Sequence, residues 1–224
     1  MPLSLKICCI TSVAEARLAI EYGADAIGLV SSMPSGPGVI DEAQVETIVA
    51  AVAGVASTWL LTSATNLARI VAQQRRTQVD TLQLVDTVDP QVLADLRVEL
   101  PKVRLVQVIH VCDQGAVEQG RAVAPRVDAI LLDSGNPSAK VRTLGGTGNV
   151  HDWSISRRLR GAVSVPVYLA GGLRASNVEA ALDAVDPDGL DVCSGLRTDG
   201  ALDRDKLAAF VARIATRREI KGRT

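Results

Sequence analysis

Short apolar runs alternate along the chain with segments whose apolar residues recur at helical spacing. The short runs are rich in Val, Ile and Leu with interspersed polar positions, which is typical of parallel strands buried on both faces. The predicted strands span residues 3–9, 25–31, 56–62, 79–85, 103–110, 127–133, 165–170 and 190–195. The predicted helices span residues 12–23, 41–54, 66–76, 89–100, 114–124, 152–161, 175–185 and 203–219.

Residues at the ends of these segments support the helix assignments. Ser12 is placed to cap the first helix, with Glu15 completing a capping box and Gly23 terminating the helix. Pro90 stands at the first position of the fourth helix, where its missing N–H costs nothing.

The regular alternation of eight strands with eight helices predicts the fold class. It indicates an α/β protein made of one (β/α)8 TIM barrel, with eight parallel strands alternating with eight helices. A doubly wound open sheet is the competing arrangement, but it rarely needs eight such regular units. The length of 224 residues suits one barrel, and no linker-like segment interrupts it, so we expect a single domain over residues 1–224.

Composition narrows the choice of partners. Aromatic residues make up only 2% of the chain, which requires an aliphatic core and disfavours a base-stacking surface for nucleic acid. The net charge is −1 with both signs mixed, so no basic stripe suggests nucleic acid or an anionic membrane as partner. No apolar run reaches the ~20 residues of a membrane span, and the first residues do not resemble a secretory signal. We therefore expect a cytoplasmic protein.

The cysteine pattern leaves one open question. The four cysteines form no CxxC motif and only two histidines are present, which disfavours a structural zinc site. Cys8 and Cys9 are adjacent, and they fit a redox pair, half of a metal site, a catalytic base beside a packing residue, or two small core residues. Because adjacent strand residues face opposite sides, a shared metal site is disfavoured, and a disulfide between neighbours would be strained. Cys112 and Cys193 are expected to be packing residues.

Unusual residues gather at the predicted carboxyl ends of the strands, where barrel enzymes carry their sites. Cys8 and Cys9 follow strand 1, and Asp133 ends strand 6. The loop 134–151 is long and rich in Gly and Ser, so we expect it to act as a lid. Small residues at the ends of strands 7 and 8 would leave backbone N–H groups free to hold a phosphate. These residues are Gly171, Gly172, Ser194 and Gly195.

Seven short segments follow one another from the first predicted strand to the last. They are "KIC" (6–8), "GADAIGLV" (23–30), "LQL" (82–84), "ILLDS" (130–134), "GGTGNVHDW" (145–153), "LAGGLRASNV" (169–178) and "LDVCSG" (190–195). No single segment is decisive, but in their order and placement they resemble the phosphoribosylanthranilate isomerase family of tryptophan biosynthesis.

The resemblance implies a cofactor-free and metal-free Amadori rearrangement of a small phosphosugar, with Cys8 as general base and Asp133 as general acid. We expect a monomer or a homodimer. The substrate and its phosphate would be bound by Lys6, Gln83, Gly146, Gly171, Gly172, Ser194 and Gly195.

Both catalytic groups need a shifted pKa, because a free thiol titrates near 8.5 and a free aspartic acid near 3.9. Lys6 is two residues before Cys8 and therefore on the same strand face, where its charge would favour the thiolate. Apolar neighbours in "AILLD" would keep Asp133 protonated. If Cys8 faces the barrel interior, Cys9 faces the helices, so we expect Cys8 to be reactive and Cys9 inert.

The sequence departs from the family pattern in several places. Cys9 replaces a glycine, "QLVD" (83–86) stands for "QLHG", and "SGLRTDGALD" (194–203) replaces the motif that follows the last strand. Gly38 lies about where the family carries an Arg that binds the substrate carboxylate, so either another cation, Arg142 or Arg174, replaces that Arg or the substrate differs. Two alternatives remain open: a paralogous barrel isomerase acting on a different phosphosugar, and a non-catalytic barrel that binds a phosphorylated ligand.

The two histidines are not expected to take part in catalysis. His110 is interpreted as a strand-end residue and His151 as a surface residue.

Overall fold

The computed structural model describes residues 2–33, 36–135 and 150–222. Eight parallel strands pair in chain order and close into a barrel, because β8 also pairs with β1. The strands are β1 Ser4–Ile7, β2 Ala26–Val30, β3 Ser57–Thr62, β4 Thr81–Leu84, β5 Arg104–His110, β6 Ala129–Asp133, β7 Val167–Leu169 and β8 Gly189–Val192. A short antiparallel hairpin of β9 Arg197–Thr198 and β10 Ala201–Leu202 follows β8.

One helix follows each strand of the barrel. The helices are α1 Val13–Glu21, α2 Glu42–Val52, α3 Leu67–Thr77, α4 Pro90–Glu99, α5 Gly115–Val123, α6 Trp153–Ala162, α7 Val178–Val185 and α8 Arg204–Gly222. The predicted (β/α)8 TIM barrel is thus confirmed, with every predicted strand and helix present. The observed strands are shorter than predicted, and the hairpin was not expected.

The first helix begins as predicted, with one difference. The Ser12 side chain accepts a hydrogen bond from the Glu15 N–H at 3.2 Å, so Ser12 is the N-cap. The Glu15 carboxylate, however, accepts from the N–H of Thr11 at 2.9 Å, one residue before the position that a capping box requires. Glu15 therefore ties the helix to the turn that follows β1.

Alternate residues of each strand face opposite sides, and this divides the core into two parts. The larger part is aliphatic and fills the space between the strands and the surrounding helices, with residues such as Leu5, Leu29, Leu60, Leu105 and Leu190. The smaller part fills the barrel interior and includes Cys8, Ala26, Trp59, Leu61, Val106, Val108, Ala129, Leu131 and Tyr168.

One layer of large side chains closes the barrel axis. The rings of Trp59 and Tyr168 meet edge to face with centroids 5.0 Å apart, and the Lys6 ammonium lies 5.4 Å from the centre of the Trp59 ring. The Tyr168 ring passes so close to Gly189 that a Cβ there would lie 2.3 Å from its Cε1 atom. Only glycine fits at that position, because the aromatic ring occupies the space of a side chain.

A repeated aspartate contact fixes the strand starts at the opposite end from the site. An aspartate stands directly before each even-numbered strand and accepts a hydrogen bond of 2.7–2.8 Å from a backbone N–H of the preceding odd-numbered strand. These aspartates are Asp25, Asp80, Asp128 and Asp188. Such charge-assisted bonds set the register of neighbouring strands. This face therefore serves stability, and the carboxyl ends of the strands are left for chemistry.

Candidate active site

A buried ion pair joins the first and last strands of the barrel. The Lys6 ammonium lies 2.8 Å from Asp191 Oδ1, and the two residues are paired in the β1–β8 register. Lys6 is completely buried and Asp191 is 7% exposed. Burial by itself lowers the pKa of Lys6, but the negative charge of Asp191 and the interaction with Cys8 outweigh it, so the pKa is raised. Lys6 therefore stays protonated.

Lys6 also lies beside the thiol of Cys8. A Cβ added to Gly28 on β2 would lie 2.8 Å from both the Cys8 Sγ and the Lys6 Nζ atoms, so the two groups border the same small space. The expectation that Lys6 shares the inner face with Cys8 is met by this arrangement.

Asp133 ends β6 and places a carboxyl group at the barrel mouth, on a different strand from Lys6 and Cys8. Burial is the largest influence on Asp133 and raises its pKa, and the nearby charge of Asp191 acts in the same direction. The Ser134 N–H, which donates to Asp133 Oδ1 at 2.8 Å, and the charges of His110 and Lys6 oppose this rise without cancelling it. The carboxyl group is thus biased toward the protonated form, as a general acid requires.

Backbone amides at the ends of β7 and β8 form a second feature of the mouth. Gly171 and Gly172 adopt positive φ angles of 84° and 63°, which glycine reaches without strain. A Cβ on Gly195 would lie 1.9 Å from the Leu173 carbonyl oxygen. The loops that follow β7 and β8 therefore approach so closely that only glycine fits at position 195. Within the described residues, the amides of Gly171, Gly172, Ser194 and Gly195 donate no backbone hydrogen bond.

Three of these four residues border a cavity of about 480 Å³. Gly172, Ser194 and Gly195 line it together with the side chains of Arg174 and Lys206. Amide N–H groups and two cations around one cavity suit a phosphate group. Arg174 lies here, on the phosphate side of the mouth.

Gln83 adds an unused acceptor on the barrel's inner surface. It lies on β4 between Leu61 and Val106 in register and is 3% exposed. Its Oε1 atom is buried and has no hydrogen-bond partner among the described residues. Such a group is costly to leave unpaired, so its position suits a ligand that donates a hydrogen bond.

Cys9 does not face the helices, and that prediction is wrong. β1 ends at Ile7, so the alternation of strand residues no longer applies at Cys9, whose φ is 62°. Cys9 packs with the interior residues of the barrel and interacts with Cys8 and Cys193. A left-handed conformation costs a non-glycine residue on the order of 1 kcal/mol, which explains why glycine suits this position.

Other predicted residues fall in different surroundings. His110 ends β5 as predicted, whereas His151 is half-buried and hydrogen-bonded to Ser156 Oγ at 2.7 Å, so its placement at the surface was wrong. Gly146, Arg142 and most of the predicted lid lie outside the described residues.

Sequence reasoning missed Asp191, although its position carried a signal. An acidic residue in the middle of an apolar parallel strand needs a partner, and Lys6 on the neighbouring strand is the only strand lysine that could supply it. The described residues contain no cluster of three metal-binding side chains. The helices of that same part of the chain include none long and apolar enough to cross a membrane.

Comparison with known proteins agrees with this geometry. A protein-family model described as N-(5'phosphoribosyl)anthranilate (PRA) isomerase matches residues 5–213. The N-(5'-phosphoribosyl)anthranilate isomerase of Haloferax volcanii is 35% identical over 216 residues, which are 96% of this chain and 94% of that protein. The enzyme of that name from Methanocella arvoryzae is 33% identical over 195 residues, which are 87% of this chain and 89% of that protein.

The fold is shared with solved structures as well. The phosphoribosyl anthranilate isomerase of Thermotoga maritima superposes with a TM-score of 0.81 at 25% identity, covering 96% of this chain and 99% of that chain. The corresponding protein of Pyrococcus furiosus gives a TM-score of 0.79 at 25% identity with the same coverage. With a family match over nearly all of the chain and the site described above, the protein belongs to the N-(5'-phosphoribosyl)anthranilate isomerase family.

Proposed function

We propose that this isomerase converts N-(5-phosphoribosyl)anthranilate to 1-(2-carboxyphenylamino)-1-deoxyribulose 5-phosphate, with Asp133 as general acid and Cys8 as general base. The observation that carries the proposal is the placement of a protonation-biased Asp133 and a lysine-flanked Cys8 at the same barrel mouth, beside free amides suited to phosphate.

The first step is assigned to Asp133. Its carboxyl group donates a proton to the ring oxygen of the ribose, the bond from that oxygen to C1′ breaks, and the nitrogen lone pair forms an iminium ion. Burial of the carboxyl group supports this role because it raises the pKa of Asp133 and so favours the protonated form.

The second step is assigned to Cys8. The thiolate removes the proton from C2′, whose acidity the iminium group has raised, and the electron pair of that bond forms the enolamine. Tautomerisation then gives the ketone product. The Lys6 charge beside the thiol supports this role, and the ion pair with Asp191 holds Lys6 in place.

Substrate binding is assigned to the remaining predicted residues. The phosphate would rest on the amides of Gly171, Gly172, Ser194 and Gly195, and Gln83 would accept a hydrogen bond from the substrate. Gly146 stays a predicted contact. Arg174 borders the phosphate cavity, so it supports a phosphate contact better than a contact to the distant carboxylate. Arg142 stays the predicted partner of the carboxylate.

Activity of purified variants tests the proposal. Cys8→Ala and Asp133→Asn should each lower kcat on the order of 10³-fold or more. Cys112→Ala is the matched control, because Cys112 is exposed and the hydrogen bond described for its side chain is a weak one from Sγ to the Gly135 carbonyl at 3.4 Å. Normal turnover by either catalytic variant would contradict the assigned roles.

A second candidate is supported by one observation. Gly38 occupies the neighbourhood where a carboxylate-binding Arg is expected, and a Cβ there would lie 2.6 Å from the Cβ of Cys9, so no larger side chain fits. A different aglycone on the same phosphosugar would suit that change. Rescue of a tryptophan auxotroph that lacks the isomerase decides between them: rescue by the parent but not by Asp133→Asn selects phosphoribosylanthranilate as the substrate.

A further inference from the structure

The thiol of Cys8 is held on a turn and not on a strand. β1 ends at Ile7, and Cys9, directly after Cys8, has a φ of 62°. The Cys8 N–H still donates to the Val192 carbonyl of β8 at 2.8 Å, but the carbonyl groups of Cys8 and Cys9 are bonded from outside the barrel sheet. One side chain from the other end of the chain makes such contacts.

Arg197 holds both carbonyl groups of this turn. Its Nη2 atom donates to the carbonyl oxygen of Cys8 at 3.3 Å and to that of Cys9. The Arg197 side chain is 8% exposed, so these bonds form away from water. Cys8 and Arg197 are 189 residues apart, and the contact joins the first βα turn to the start of the hairpin after β8.

The guanidinium group is itself fixed in place. Arg197 Nη1 lies 2.9 Å from Glu15 Oε1 and donates to the Gly200 carbonyl at 2.7 Å. Glu15 accepts from the N–H groups of Leu202 at 2.8 Å and Thr11 at 2.9 Å. Through these bonds, the Arg197 guanidinium group and the Glu15 carboxylate link the β1 turn, the start of α1 and the β9–β10 hairpin.

From this arrangement we infer that Arg197 is a positioning residue for Cys8, a role that rests on the proposed function of Cys8 as base. By bonding the carbonyl groups on both sides of the Cys8–Cys9 turn, Arg197 fixes the direction of the thiol toward the substrate carbon. Arg197 touches neither of the catalytic side chains proposed above. Its effect passes through the backbone.

Arg197→Gln tests the inference in the full-length protein. We expect kcat to fall on the order of 10- to 100-fold, because a displacement of about 1 Å reduces the rate by that factor. KM should change by less than about threefold, since the phosphate amides are retained. The rate of Cys8 alkylation by iodoacetamide should fall together with kcat, and Arg197→Lys, which keeps one donor, should recover part of both.

Arg160→Gln is the matched control. Arg160 is half-buried and pairs with Asp188 at 2.9 Å, at the end of the barrel remote from the site. It should lower stability while leaving kcat and thiol reactivity unchanged. If Arg197→Gln gave the same pattern as Arg160→Gln, the positioning role would be overturned.

A charge exchange separates positioning from stability. The double variant Glu15→Arg, Arg197→Glu can restore an ion pair, but it places a carboxylate beside the carbonyl groups of Cys8 and Cys9. We expect unfolding stability to recover and kcat to stay low. Recovery of kcat together with stability would show that Arg197 acts only as a structural partner of Glu15. Normal turnover by Cys8→Ala would instead contradict the proposed function, whereas an inactive Cys8→Ala with a fully active Arg197→Gln would contradict this inference alone.

Discussion

Asp191→Asn should destabilise the protein strongly, because it leaves the Lys6 ammonium buried without its counter-charge. The two groups are 2.8 Å apart, with Lys6 fully buried and Asp191 only 7% exposed. Removing one partner of a buried pair costs about 3–5 kcal/mol of unfolding free energy. The loss of unfolding free energy has an upper bound, because Lys6 can give up its proton instead of staying charged. Neutralising a lysine of ordinary pKa at pH 7 costs about 4.6 kcal/mol.

Between pH 7 and pH 10, the contribution of Lys6 to unfolding stability should be constant in the parent protein and should rise with pH in Asp191→Asn. In the parent protein the pKa of Lys6 is raised, so its stabilising contribution is complete below the unfolded value of about 10.4 and is lost as the pH rises through the folded value. In Asp191→Asn, burial without the carboxylate lowers the pKa of Lys6. The unfolded chain then binds more protons, and stability should rise between pH 7 and pH 10 by at most about 1.4 kcal/mol per pH unit.

Denaturant unfolding followed by circular dichroism at pH 7 to 10 measures both effects. Glu99→Gln is the control, because it breaks the Arg75–Glu99 pair of equal length whose side chains are 62% and 47% exposed, and it should cost no more than about 0.5 kcal/mol. The double variant Lys6→Met, Asp191→Leu should recover most of the lost stability. A loss below about 1 kcal/mol with no pH dependence would refute the reasoning about the buried charge.

Three further predictions concern other residues. Gly195→Ala should lower kcat/KM on the order of 10²-fold in an activity assay, because its Cβ would lie 1.9 Å from the Leu173 carbonyl, whereas Gly161→Ala, with no atom within 4 Å of the added Cβ, should leave it unchanged. Burial raises the pKa of Asp133, so the contribution of this carboxyl group to stability is complete below its unfolded pKa of about 3.9 and is lost as the pH rises through the raised folded pKa. Asp133→Asn should therefore raise Tm at pH 7 in thermal unfolding, by less as the pH is lowered. Burial lowers the pKa of His151 to about 4, so the protein should lose up to about 3 kcal/mol between pH 6.5 and pH 4, and His151→Gln should remove most of this acid sensitivity in denaturant titrations.

The sequence predicted the barrel because each strand and helix carries its own periodic signal. The alternation of apolar runs and amphipathic segments needs no knowledge of distant contacts, and the carboxyl ends of parallel strands meet at one face. Placing Cys8 and Asp133 together at that face followed directly. The four aspartates at the strand starts also recur at regular places in the sequence, but their bonds to the preceding strands depend on register, which no short segment specifies.

The errors arose where local rules end. The alternation of faces predicted Cys9 toward the helices, but the strand stops at Ile7 and the backbone turns left-handed. The capping box shifted to Thr11 because Glu15 also binds Arg197, which is 182 residues away. Pairings of this kind, like that of Lys6 with Asp191, follow from closure of the barrel and leave little trace in short segments.

The aromatic layer of Trp59 and Tyr168 with Lys6 has a consequence for traffic through the barrel. This layer blocks passage along the barrel axis. Reactant, product and any exchanging proton therefore enter and leave through the mouth at the carboxyl ends of the strands. A hydron that Cys8 takes from C2′ can then exchange with bulk solvent only through the mouth by which the product leaves. Isotope exchange and product release become competing events, and a substrate labelled with deuterium at C2′ should deliver part of its label to the product.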